Sequence, residues 1–382
     1  MPRVPVQPAL LIWARERARM DEAALQARFP HLSKWESGDL QPTLRQLEQY
    51  AQATHAPLGY FFLPAPPQEV LPIPDFRTIG RGFPRLSADL LDVIYTCQTR
   101  QNWYRDEALV NGETPLTFVG SVTLSTPPTE AAALIRQQLG FSVQARRDCP
   151  SWAEALRMFI AQAEEAGVLV MVSGVVMNNN NRHLDPQEFR GFALADALAP
   201  LVFINGADSK AAQMFTLAHE LAHLWLGQTA LSDTAMAETS DHATETWCNR
   251  VAAELLVPKA EFLAALHDDE ALDQALQRLA RHFKVSTLVL LRRMLDVGRL
   301  DGPAFWQAYR AEETRLKTLA ARNTGGGDFY RTTVARVSRR FAQSLVVSTL
   351  EGRTLYRDAF RMLGIAKPGT FNELGRTLGF PT

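Results

Sequence analysis

The chain has 382 residues, with 46% hydrophobic and 21% charged residues and a formal net charge of -1. These are globular values for a chain long enough to form two to three domains, each with a core that needs no staples. The near-zero charge excludes global attraction to nucleic acid. The cysteines, Cys97, Cys149 and Cys248, are few and odd in number. A disulfide framework is therefore not expected, and a reducing cytoplasm fits. The opening Met1-Pro2-Arg3-Val4-Pro5 does not read as a signal peptide, and no apolar run reaches the about 18 residues of a membrane span.

Residues 1–64 read as short helices, the first two over Ala9 to Arg19 and Asp21 to Arg28, with Asp21 as a cap. The stretch from Trp35-Glu36-Ser37-Gly38 to Tyr50-Ala51 resembles the second half of an XRE/Cro-type helix-turn-helix domain, and Pro57-Leu58-Gly59-Tyr60-Phe61-Phe62 resembles its usual end. Phe29-Pro30-His31-Leu32-Ser33 leaves little room for the turn and the start of a recognition helix. With 7 Lys/Arg against 6 Asp/Glu, this region also lacks the basic excess of a DNA reader. A degenerate helix-turn-helix used for packing or dimerisation is the expectation, with sequence-specific DNA binding as the alternative.

Residues 65–149 form a linker and helical region. Pro64-Ala65-Pro66-Pro67 and Leu71-Pro72-Ile73-Pro74 make a stiff, extended link, followed by Asp75-Phe76-Arg77-Thr78. Residues 86–115 and 128–166 read as helices.

Three short segments, Gly167–Ser173, Glu188–Asp196 and Ala199–Asn205, read as strands, with a polar turn at Asn178 to Asn181. A small sheet here could accept a peptide as an added strand, or serve only as structural packing.

Next comes Thr216-Leu217-Ala218-His219-Glu220-Leu221-Ala222-His223-Leu224-Trp225, a helix apolar on nearly every side and so buried. His219 and His223 lie one turn apart on one face, the spacing that lets two imidazoles hold one zinc ion. Glu220 would sit beside the open coordination position and move the proton. Two histidines in an apolar helix need partners, and a metal supplies both. The competing reading is a pair of core histidines beside a surface Glu.

A third ligand is sought on the following helix, Asp241 to Pro258. Glu245 is chosen over Glu238, Glu254 and His242, giving a His₂Glu set. Glu254 is expected to pair with Arg250 on the solvent side. His242 could line the site or be an exposed loop histidine, and Cys248 could ligate as a thiolate. A second oxyanion donor is expected and has no identifiable residue.

These residues resemble a known family. Phe203-Ile204-Asn205, Phe215 to His223, and Glu245-x-Trp247-Cys248-Asn249-x-x-Ala252-Ala253-x-Leu255-Leu256-Val257-Pro258 are similar to the ImmA/IrrE family of zinc metallopeptidases, over about residues 150–300. The resemblance implies His219, His223 and Glu245 as ligands of Zn²⁺ and Glu220 as the base. It also implies a substrate class: a partner repressor or antitoxin-like regulator, encoded nearby and cleaved at limited sites in stress, mobile-element or defence control. The alternatives are a non-enzymatic DNA-binding regulator or antitoxin with the peptidase domain as a binding module, and a purely structural zinc site.

Leu279 to Leu295 has a helix-turn-helix look but reads better as a helical cap on the peptidase core. Residues 301–382 carry 13 Lys/Arg against 7 Asp/Glu. Arg336 and Arg340 are expected to share a helix face, as are Arg353, Arg357 and Arg361, after a break at Gly325-Gly326-Gly327. Such a face suits nucleic acid or an acidic partner, or is simply solvated.

The expected architecture is α+β and mostly helical. It comprises a helix-turn-helix-like bundle (1–64), a linker and helical region (65–149), a zincin-like peptidase domain with a small sheet and an active-site helix (150–300), and a basic helical tail (301–382).

Overall fold

The computed structural model describes residues 2–75, 86–232, 243–320 and 329–381. The backbone divides into two compact units, Met1–Pro72 with Gly80–Tyr95, and Ile73–Ile79 with Thr96–Thr382.

In the first unit, α1 (Pro8–Arg17), α2 (Glu22–Arg28), α3 (Leu32–Glu36) and α4 (Leu44–Ala53) precede a 3₁₀ turn at Leu58–Phe62. Asp21 caps α2 as expected, accepting from the Ala24 N–H at 3.2 Å. Thr43 and Gln46 form a reciprocal capping box on α4. Tyr50 is fully buried among Phe29, Trp35 and Phe61, and its hydroxyl donates to Leu11 O at 2.9 Å. The third helix has only five residues, matching the shortening expected from Phe29 to Ser33.

α5 (Ala88–Val110) leads into the second unit. The single helical stretch expected over 128–166 is divided into α6 (Pro128–Leu139), α7 (Val143–Arg147) and α8 (Trp152–Glu165). Gly140, at φ +62°, ends α6, and Ser142 and Ser151 cap the two helices that follow.

The sheet holds β1 (Leu169–Ser173), β2 (Gly191–Leu194), β3 (Leu201–Asn205) and β4 (Ala230–Ser232) in the order β1-β3-β2-β4. β1 and β3 are parallel, while β2 runs antiparallel to both β3 and β4. The first three strands fall within the segments expected from sequence. All four are almost wholly buried, which explains their continuous apolar runs.

Between β3 and β4 runs α9 (Lys210–Trp225), and after β4 comes α10 (Ala243–Leu256). α9 packs against β2, β3, α8 and α10. Every residue from Gln213 to Trp225 is buried, and Trp225 stacks on Phe118 at 4.3 Å. The remaining helices are α11 (Lys259–Ala264), α12 (Leu272–Phe283), α13 (Thr287–Asp296), α14 (Gly302–Ala320), α15 (Phe329–Val337), α16 (Arg339–Leu350), α17 (Tyr356–Leu363) and α18 (Pro368–Leu378).

Leu276, Leu279, Phe283, Val289, Leu290 and Met294 belong to the same apolar core as α9, so α12 and α13 form the helical cap. The tail packs on the unit through α15 and α16, which contact β1. Arg100, fully buried, donates to Met362 O at 3.0 Å, and Asn178 donates to Gly364 O at 2.7 Å. Among the described residues no helix is long and apolar enough to cross a membrane.

Candidate metal centre

Ser209 caps α9 by accepting from the Ala212 N–H at 3.2 Å, and Gln213 ties the first turn back to Gly206 O and Asp208 O. This sets the helix phase, so His219 and His223 both face α10. Three contacts hold α10 in turn. The Trp247 indole donates to Thr126 O at 2.8 Å, Arg136 donates to Glu254 O at 2.8 Å, and Arg146 donates to Leu256 O. The two arginines satisfy carbonyls at the helix C-terminus, where positive charge is favoured.

Across this interface His219 Nε2 and His223 Nε2 lie 3.1 Å apart. Glu245 places Oε2 3.2 Å from the first and Oε1 3.0 Å from the second. The three side chains are at most 2% exposed, and their ligand atoms lie within 4.8 Å of one another. Asn249, one turn beyond Glu245, sets His219: its Oδ1 lies 3.0 Å from His219 Nδ1. A carboxamide oxygen only accepts, so Nδ1 carries the proton and the Nε2 lone pair points into the cluster. Two imidazole nitrogens and a carboxylate therefore converge on one point, a donor set that fits a divalent cation.

Burial alone would lower the His219 pKa, but Glu245 beside it raises it overall, while burial lowers that of His223. Burial works against the charge on Glu245, yet the two imidazoles hold it down to about 2. Glu220 is pushed the other way by burial, up to about 8, against the smaller lowering effects of His219 and of a hydrogen bond from Ser232. One carboxyl is thus kept ionised and its neighbour is poised near neutrality.

Three residues of the site escaped the sequence reading. Asn249 orients His219. Ser232, fully buried at the end of β4, has its Oγ 3.3 Å from His223 Nε2. Gly191 on β2 is paired with Ser232; a Cβ there would stand 2.5 Å from Thr216 Cγ2, 2.8 Å from Phe203 O and 3.3 Å from Glu220 Oε1. A glycine inside a strand was the available signal of such a close approach.

Other expectations fare differently. Cys248 is buried with its thiol pushed well up and lies outside the three-residue cluster. Glu254 does not pair with Arg250 on the solvent side. It is 8% exposed, pairs at 3.0 Å with Arg293 of α13, and accepts from the Lys259 N–H. His242 and Glu238, like Gly325 to Gly327, lie outside the described residues.

Of the tail arginines, only Arg357 and Arg361, one turn apart on α17, share a face as expected. Ser338, at φ +73°, ends the run of α15 and caps α16, so Arg336 and Arg340 stand on different helices. Arg336 donates to Asn178 at 2.7 Å, and Arg340 to the Tyr104 hydroxyl at 2.7 Å. Arg353 precedes α17 and pairs with Glu107 and Glu351. Arg357 and Arg361 are the two of this set that extend into solvent, at 84% and 75% side-chain exposure.

Residues 163–295 match the Peptidase_M78 family, described as the IrrE N-terminal-like domain. The match covers less than half of the chain and contains all four strands, His219, Glu220, His223 and Glu245. The chain thus carries a metallopeptidase-family domain built around this cluster. Residues 337–377 match a domain of unknown function, DUF8813. No curated protein matches the chain.

Proposed function

We propose that this chain is a zinc-dependent endopeptidase making limited cuts in one partner regulatory protein, a repressor or antitoxin-like factor encoded nearby. One observation carries the reading: a buried three-donor cluster lies beside a second fully buried carboxyl, Glu220, whose pKa burial raises to about 8. His219, His223 and Glu245 would hold the metal, with Asn249 keeping His219 in the ligating tautomer. A bound zinc ion supplies polarisation of the scissile carbonyl and acidifies water.

The chain's own part in the reaction is proton transfer. Glu220 accepts a proton from the attacking water and returns it to the leaving amine, and a carboxyl poised near the working pH serves both directions. The separation of Glu245, at about 2, from Glu220, at about 8, supports giving the fixed charge to the first and the mobile proton to the second. A regulator as substrate is supported by the resemblance to ImmA/IrrE peptidases and by the helix-turn-helix-like sequence of residues 1–64. A protein that used this domain only to bind would have no need of a fully buried Glu220, whose desolvation costs stability.

The test incubates purified wild type and Glu220→Gln with the proteins encoded beside this gene, with zinc content measured for each. The expected result is zinc in both and cleavage by wild type alone. Zinc in both with no cleavage by either would favour the DNA-binding regulator, to be followed by gel shift at several salt concentrations.

A further inference from the structure

β4 borders the metal cluster through Ser232, and β2 occupies its inner edge. Its outer edge is taken by the chain itself. Leu231 donates its N–H to Pro74 O at 2.9 Å, and Asp75 pairs with Leu231 in a parallel bridge. The preceding Ile73 is 5% exposed, whereas Pro74 and Asp75 are exposed.

We propose that Ile73–Asp75 is a resident strap that competes with the substrate polypeptide for the outer edge of β4 and must leave before an extended peptide can pair there. This rests on the peptidase reading above. An extended peptide gains affinity at a sheet edge through main-chain hydrogen bonds. The Leu231 N–H has one proton to give, and Pro74 O holds it. The strap and a substrate strand therefore exclude each other at a position adjacent to Ser232.

The pairing is built to be reversible. Pro74 turns its carbonyl to Leu231 yet has no N–H, so it cannot donate a bond back to β4. The strap also runs parallel to β4, the slightly weaker of the two ladder geometries. Its anchor is the buried Ile73 side chain.

The experiment uses the full chain carrying Glu220→Gln, with and without Ile73→Asp, and fluorescein-labelled, carboxymethylated casein as the probe. Amide exchange at Leu231 reports whether the strap is in place. The expected result is faster Leu231 exchange in the Ile73→Asp chain, with casein bound roughly tenfold more tightly, the change for a strap that is off about a tenth of the time. A synthetic Leu71–Thr78 peptide added in excess displaces casein from both chains, and a scrambled peptide does not. Faster Leu231 exchange with casein affinity unchanged or weaker overturns the proposal. Should Ile73→Asp fail to fold, the peptide competition on the Glu220→Gln chain decides alone, and failure to displace casein overturns the proposal. Hydrolysis is scored separately with Glu220 intact. Its absence, with the binding results as expected, would strike the peptidase reading and leave the strap standing.

Discussion

Asn249 Oδ1 lies 3.0 Å from the Nδ1 of His219, and this contact decides which ring nitrogen faces the cluster. The residue sits one turn after Glu245 on α10, so one helix supplies both a candidate ligand and the group that orients another candidate. Outer partners of this kind are typically worth about 10–100-fold in metal affinity. Asn249→Ala is therefore expected to weaken zinc binding by roughly that factor, and Asn249→Asp, which keeps an accepting oxygen, to restore most of it. Competition with a chromophoric chelator reads the affinity. Equal weakening in both variants would mean that packing, rather than the tautomer, is at stake.

Gly191 has no room for a methyl group. The Thr216 methyl, Phe203 O and the Glu220 carboxyl all stand within 3.3 Å of where a Cβ would fall, and all three belong to α9 or β3. Gly191→Ala should lower stability by about 1–3 kcal/mol, the usual cost of overpacking a tight core. It should also impair any activity that depends on Glu220. Chemical denaturation against wild type measures the first effect, and a loss under about 0.5 kcal/mol, the range of neutral surface changes, would show that the strand yields without strain.

The cysteines offer a pH test. Burial pushes the Cys97 thiol up to about 12 and the Cys248 thiol well above its ordinary value, while Cys149 is half-buried. Thiolate is the reactive form, so both buried thiols are unreactive at pH 8 on two counts, access and protonation. The folded state holds these protons more tightly than the unfolded chain, whose thiols titrate near about 8.5. Their contribution to stability is therefore complete below that value and is lost as the pH rises toward 12. Maleimide labelling of the native chain at pH 8 should modify Cys149 alone, and rapid labelling at a second position would contradict this burial.

Much of this fold was legible because period and length leave few options. The apolar runs of β1, β2 and β3 are short and rich in β-branched or aromatic residues, and α9 repeats His219 and His223 at the spacing of one turn. What stayed hidden depends on contacts distant in sequence. Nothing local tells that Arg293 of α13 reaches Glu254, so Arg250 on the same helix looked sufficient. Ser338 adopts a left-handed conformation that has no sequence signature in a serine, so α15 and α16 read as one helix and Arg336 and Arg340 as neighbours. Ser232 is an ordinary strand residue until the register Gly191↔Ser232 carries it to the histidines. Asn249 lay within a recognised motif, but its role depends on the crossing of α9 and α10.

Zinc stoichiometry tests most directly whether His219, His223 and Glu245 form one metal site. Equilibrium dialysis should give one zinc ion per chain for wild type and for Glu220→Gln, and none retained at the same free zinc by His223→Ala or Glu245→Ala. Full zinc retention by either of the last two variants would contradict the site described here.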